Sequence, residues 1–234
     1  ENSFKAARPF HATIMAQTQA GLKNLFKLIS LSNVKYFHGG VPRIPRSELV
    51  KLREGLLVGT ACDKGEVFVA MMQKGVEAAR ELAKFYDYIE VQPPANYMNL
   101  VNRGALNSIK EVEMIVSNII ELARDMDKMV VATGDAHYVE EEKKEVRDIF
   151  INAQGIGGVR HPLYIYKKEI RRSTSAPDQH FRTTQEMLDC FKFIGEQLAY
   201  EIVVENTNAI ADSIEYTYPV KKDLYPPSIE NCDQ

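Results

Sequence analysis

The feature that most limits what this chain can fold into is a recurrent order: short apolar runs, each followed by a stretch with helical spacing. Residues 11 to 17 (HATIMAQ) alternate as a strand does. They then pass through Thr18 to Gly21 into a helix in which Leu22, Leu25, Phe26 and Ile29 share a face. Leu56 to Thr60 is a second apolar run, followed by a loop and a helical stretch from about Val67 to Phe85. Tyr88 to Gln92 is a third, stopped by Pro93 and Pro94, and an amphipathic helix is expected from Ile109 to Met126. Met129 to Thr133 is the fourth strand. Short buried strands alternating with helices predict an α/β fold with parallel strands, in which sites gather where the strands end.

The later chain is less regular. Gly155, Gly157, Gly158 and the basic stretch Lys167 to Arg172 suggest an exposed excursion. A helix near Thr184 to Cys190, capped by Thr183 or Thr184 with Glu186 in its first turn, and another from about Gly195 to Ile210 close the domain. Residues 1–214 are therefore read as one domain. Residues 215–234, with Pro219, Pro226 and Pro227, are read as a linker leading elsewhere.

Charge is distributed unevenly. Residues 1 to 53 hold nine Lys and Arg against two Asp and Glu, although the whole chain carries a net charge of only −3. A basic segment of this kind suits nucleic acid or an acidic partner, but also an ordinary solvated surface. Cys62, Cys190 and Cys232 are an odd number at wide spacing, which argues for reduced thiols over a disulfide framework. No apolar run approaches the roughly 18 residues of a spanning helix, and Glu1, Asn2 and Ser3 do not begin a signal peptide. The expectation is a cytoplasmic protein without membrane partners.

Four strand ends carry candidate chemistry. His11 opens the first strand, Cys62 follows the second in GTACD, Glu90 lies on the third, and Asp135 and His137 follow the fourth in TGDAH. Imidazole, thiolate and carboxylate together suit Zn²⁺, Mn²⁺ or Fe. Asp135 and His137 are two apart, so at an extended strand end they point the same way. Taken singly, His11 is as readily a hydrogen-bonded strand residue, Cys62 a small buried hydrophobe and Glu90 a salt-bridge partner. Their shared placement at strand ends favours a site. No Walker loop, dinucleotide fingerprint, CxxC pair or nucleophile elbow is present.

Six ordered phrases carry a resemblance: FHATIMA with GLKNL from Phe10, VPRIPRSEL at Val41 to Leu49, EGLLVGTACDKGEVF at Glu54 to Phe68, FYDYIEVQPP at Phe85 to Pro94, VVATGDAHY at Val130 to Tyr138 and HFRTTQEML at His180 to Leu188. Together they resemble the later part of the polymerase and histidinol phosphatase (PHP) domain of bacterial PolC-type DNA polymerase III alpha subunits. LYPP at Leu224 to Pro227 resembles the entry to the palm.

The resemblance implies part of a distorted (β/α)7 barrel, incomplete on its N-terminal side, and a metal site whose late ligands match His11, Cys62, Asp135 and His137. Glu90 matches no ligand. The family's early ligands, an HxH motif, an Asp, a His and a Glu, have no counterpart in this sequence, as expected of a segment that follows an inserted 3′–5′ exonuclease domain. The parent enzyme would be a DNA-directed DNA polymerase using Mg²⁺, with DNA, other replisome subunits, the N-terminal PHP half, the exonuclease and the palm as partners. The segment itself would be a metal-braced structural module; the alternative is a metal-dependent phosphoesterase. Val41 to Ser47, with Pro42 and Pro45, is expected to be an extended surface loop presenting Arg43 and Arg46 to DNA or a neighbouring domain.

Overall fold

The computed structural model describes Phe4, residues 6–153 and residues 155–220. Cys232, the Leu224 to Pro227 phrase and most of the expected linker lie outside the described residues. The described residues form two compact units. One gathers Phe4 with residues 15–56 and 213–220, the other residues 6–14 and 57–212.

In the first unit the helix Gln19–Val34 starts where the periodicity begins. Its N-cap, Thr18, is extended and accepts the Gly21 N–H at 3.1 Å, satisfying one of the orphan donors of the first turn. Leu28 and Leu49 are buried. The proposed loop from Val41 to Ser47 is corrected at both ends. Val41 bridges His38 in antiparallel fashion, and Arg46 and Ser47 open a helix, Arg46–Lys51. Pro45 explains the second change: at φ −62° and ψ 140° it is an extended N-cap, and a proline before the first turn costs no hydrogen bond. Arg43 is half-buried and Arg46 exposed. Residues beyond the second unit return here, with Glu215 N–H donating to the Gln17 carbonyl and Tyr218 N–H to Gln19 Oε1, at 2.9 and 2.8 Å.

Four short strands run through the described residues: β1 (Thr13–Ala16), β2 (Leu56–Gly59), β3 (Ile89–Val91) and β4 (Val130–Ala132). β3 and β4 pair in parallel with Ile89 opposite Val130 and Val91 opposite Ala132, and Gly59 bridges Tyr88 in parallel, carrying β2 alongside. β1 pairs with β2 but departs from the parallel expectation. His11, just before β1, donates its N–H to Lys64 O beyond the end of β2, whereas Gln17, just after β1, donates to Gly55 O before β2 begins. The end of β1 thus meets the start of β2, as it does when β1 runs against β2, while the His11–Gly65 bridge beyond the ladder is a separate, parallel one.

The core of the second unit forms around these strands. Val58, Ile89, Val91, Val130 and Val131 are buried, and β3 and β4 pack against the helix Ile109–Asp125, whose Val112, Ile115, Val116, Ile119 and Ile120 recur at the spacing of one helical face. Ser108 caps that helix through Glu111 N–H. The single helix expected over Val67 to Phe85 is two, Glu66–Lys74 and Val76–Ala83, because Gly75 turns out of the helix at φ +87°. Of the two threonines expected as caps, Thr183 is the one used, with Glu186 completing a capping box on Thr184–Cys190. The last expected helix is interrupted: Glu196–Tyr200 passes through a π-helical turn at Glu201–Glu205 into Asn206–Asp212. The basic stretch near Lys167 is exposed as expected, with Lys167, Lys168 and Arg172 open to solvent, but it is ordered as the helix Lys168–Ser173, with Arg171 donating to Tyr164 Oη and Ile165 O. No helix among the described residues is long and apolar enough to cross a membrane.

Candidate metal centre

His11, Cys62, Asp135 and His137 all line one cavity of about 270 Å³ in the second unit. The reversed β1 makes this possible, because His11 opens its strand whereas Cys62 and Asp135 follow theirs. The four arrive as two pairs.

The first pair is His11 and Cys62, with Nδ1 and Sγ 3.4 Å apart. Cys62 sits in a tight turn that Gly65 N–H closes on Cys62 O at 2.8 Å. The turn requires glycine at 65, since a Cβ there would fall 2.0 Å from the Thr60 carbonyl oxygen. Ala61, beside the thiol, is left-handed at φ 58°, a conformation non-glycine residues rarely adopt outside special sites. Burial pushes the Cys62 thiol up to about 11, and Asp63 and Asp135 add to the effect. Burial, and then the charge of Lys64, lowers His11 below its ordinary value. At neutral pH the pair is therefore a neutral imidazole and a protonated thiol.

The second pair is Asp135 and His137. Asp135 is also left-handed, at φ 47°, which lets its own carbonyl meet the His137 ring at 2.8 Å from Nδ1. A carbonyl only accepts, so Nδ1 carries the proton and Nε2 keeps its lone pair, as a ligating imidazole must. Gln179 braces both residues: its Nε2 donates to Asp135 Oδ2 at 2.7 Å, and its carbonyl accepts the His137 N–H at 2.8 Å. Gln179 is 5% exposed, yet its Oε1 has no hydrogen-bond partner among the described residues. An orphaned buried acceptor on the wall of a cavity lined by imidazole, thiol and carboxylate fits a cation. As the side chains stand, no three His, Cys, Asp or Glu among the described residues converge as a ligand cluster.

Sequence reasoning missed the other residues that line the cavity. Lys64, Arg147 and His161 line it, as do Asp63, Asn96 and Gln179. Arg147 comes from the helix Lys144–Asn152 and His161 from the loop after it, in the region read as irregular. Burial, followed by the charges of Arg147, Lys64 and His137, lowers His161. No local pattern marked Asn96, Arg147, His161 and Gln179, because their role depends on where distant segments meet; Asp63 and Lys64 simply follow Cys62 in its turn. Glu90 is placed elsewhere: its carboxylate accepts from Thr13 Oγ1 at 2.8 Å and Thr133 Oγ1 at 2.7 Å, and it is not among the cavity's lining residues. Arg43 and Arg46 belong to the other unit.

A family model described as the PHP domain matches residues 2–94. The chain is 50% identical over 234 residues to the DNA polymerase III PolC-type of Halalkalibacterium halodurans, covering all of this chain and 16% of that protein. It is 51% identical over 232 residues to the protein of the same name in Pediococcus pentosaceus, covering 99% of this chain and 15% of that one. Against the Streptococcus pyogenes serotype M4 protein of that name identity is 49% over 234 residues, again 16% of its length. The chain thus spans about a sixth of the curated relatives it matches. Identity near 50% over the whole chain, joined to the PHP match over residues 2–94, makes the chain similar throughout its length to a segment of PolC-type DNA polymerase III proteins.

Proposed function

We propose that the chain is the later part of a PHP domain, a portion of a distorted (β/α)7 barrel, acting as a metal-braced structural module of a replicative DNA polymerase. On this reading His11, Cys62, Asp135 and His137 hold a divalent cation, Zn²⁺, Mn²⁺ or Fe. The cation ties the turn after β2 to the strand end after β4. The observation that carries the reading is the convergence of both residue pairs on one cavity beside the orphaned Gln179 Oε1. Binding displaces the Cys62 proton, because thiolate is the ligating form.

The complete enzyme on this reading is a DNA-directed DNA polymerase with a 3′–5′ exonuclease. It works with Mg²⁺ on DNA alongside other replisome subunits in the cytoplasm, and residues 215–234 lead toward its palm. Arg43 and Arg46 are proposed to contact DNA or a neighbouring domain. Charge reversal of both should weaken DNA binding and flatten its salt dependence in the complete enzyme; unchanged affinity and slope would remove the DNA contact.

Elemental analysis of the complete protein tests the metal reading. The expected result is bound Zn, Mn or Fe in wild type and a sharp loss in Cys62→Ser; equal metal content in the two would defeat it. A second reading, a phosphoesterase, draws on Lys64, Arg147 and His161, which give the same cavity a basic wall suited to a phosphate ester. A bound cation would there supply Lewis acidity. The structural reading expects the 234-residue chain to hydrolyse no phosphodiester above background. Metal-dependent hydrolysis abolished by His137→Ala would promote the second reading.

A further inference from the structure

Glu90 is a carboxylate on a central strand with no ion-pair partner among the described residues, and three threonines account for its hydrogen bonds. Thr13 and Thr133 hydroxyls donate to its two carboxylate oxygens at 2.8 and 2.7 Å. Its backbone N–H donates to Thr60 Oγ1 at 2.9 Å. Each threonine lies two residues from a member of the candidate centre: Thr13 from His11, Thr60 from Cys62, Thr133 from Asp135. In extended chain a two-residue step keeps the same face, so the positions of Thr13 and Thr133 bear on those of His11 and Asp135, whereas the left-handed Ala61 breaks that relation between Thr60 and Cys62.

We infer that Glu90 is a positioning residue that clamps the strand opening at His11 and the strand ending at Asp135 to a common point. The clamp sets the gap between the His11–Cys62 pair and the Asp135–His137 pair. This rests on the metal reading above and adds the device that registers its two halves. The carboxylate need not be charged for this. A glutamine could accept one threonine proton at Oε1 and donate Nε2–H to the other hydroxyl, which turns to accept. Glu90 therefore differs from a ligand, for which the amide would be a poor substitute.

The test titrates the complete polypeptide with Co²⁺ and follows the thiolate-to-cobalt charge-transfer band, with Cys62→Ser as control. In Glu90→Ala the apparent affinity should fall roughly 10-fold, the usual loss when an outer partner of a ligand is removed, and the band should change shape. Glu90→Gln should keep most of the wild-type affinity and the wild-type band. Thr13→Val combined with Thr133→Val, which preserves shape and removes both donors, should match Glu90→Ala and decides the matter if the alanine variant does not fold. Wild-type affinity and band in a folded Glu90→Ala or in the threonine double variant would overturn the clamp. So would a Glu90→Gln loss as large as that of Glu90→Ala. A band that survives Cys62→Ser would instead overturn the metal reading, and the clamp's purpose with it.

Discussion

Arg182→Met removes a guanidinium whose side chain is 2% exposed and which ties two segments together. One nitrogen donates to Asn96 Oδ1 at 3.3 Å and another to the Asp178 carbonyl, with the Asp178 carboxylate 3.9 Å away. Hydrogen bonds from a charged donor contribute about 1.5–3 kcal/mol each, so the gross loss is about 3–6 kcal/mol. Methionine refills much of the volume, and Asp178 is 29% exposed and keeps His180 and Tyr138 as partners, which sets the expectation at the low end, about 3 kcal/mol. With a urea slope of about 2 kcal/mol per molar, the midpoint should drop by about 1.5 M. The chain has no tryptophan, so far-UV circular dichroism is the natural probe. Asp178, which Arg182 anchors, directly precedes Gln179, whose backbone carbonyl accepts the His137 N–H, so hydrogen exchange at the His137 amide should also accelerate. A midpoint shift under about 0.3 M with unchanged exchange would refute the assignment of these bonds as stabilising.

Three other outcomes follow from the same coordinates. Thr183→Ala should cost about 1 kcal/mol by leaving the Glu186 N–H uncapped, and Thr183→Ser should restore it; equal urea midpoints for the alanine and wild-type proteins would deny the cap any weight. Gly65→Ala should open the Cys62 turn, because the new Cβ meets the Thr60 carbonyl, and peptide mapping should find Cys62 alkylated faster than in wild type; an unchanged rate would mean the turn absorbs the methyl group. Partial burial opposes ionisation of Asp178, yet the His180 hydrogen bond and the charges of Lys144 and Arg182 outweigh it and hold the carboxyl below its ordinary value, with the Tyr138 hydroxyl also facing it. A depressed carboxyl stabilises the fold above its unfolded pKa and loses that contribution as pH falls through the folded one. Wild type and Asp178→Asn should therefore differ most near neutrality and converge in acid, and a gap that widens in acid would contradict the sign.

Local chemistry was legible in the sequence wherever a residue's neighbours along the chain decide its state. The Ile109–Asp125 helix ends one residue short of its expected limit, and Thr183 caps where its hydroxyl and Glu186 said it would. The apolar pattern runs unbroken through Gly75, so periodicity alone merged two helices; the break is a backbone angle, which a pattern of side chains does not encode. Of the five groups read at strand ends, the four that the resemblance marks as ligands line one cavity, and Glu90 does not. The reason given for their meeting was incomplete, since a two-residue period reads the same in either direction and hides that β1 runs against β2. Gln179, Arg147 and His161 carried no signal, each reaching the cavity from a segment remote from Cys62 and His11, and Lys64, two residues after Cys62, was passed over. Glu90 shows the division most plainly. Its sequence neighbours leave a carboxylate without a task, and only packing brings the hydroxyls of Thr13 and Thr133 to its two oxygens. The chain's chemistry set which elements form and which groups they carry. The satisfaction of buried polar atoms between distant strands decided where those groups meet.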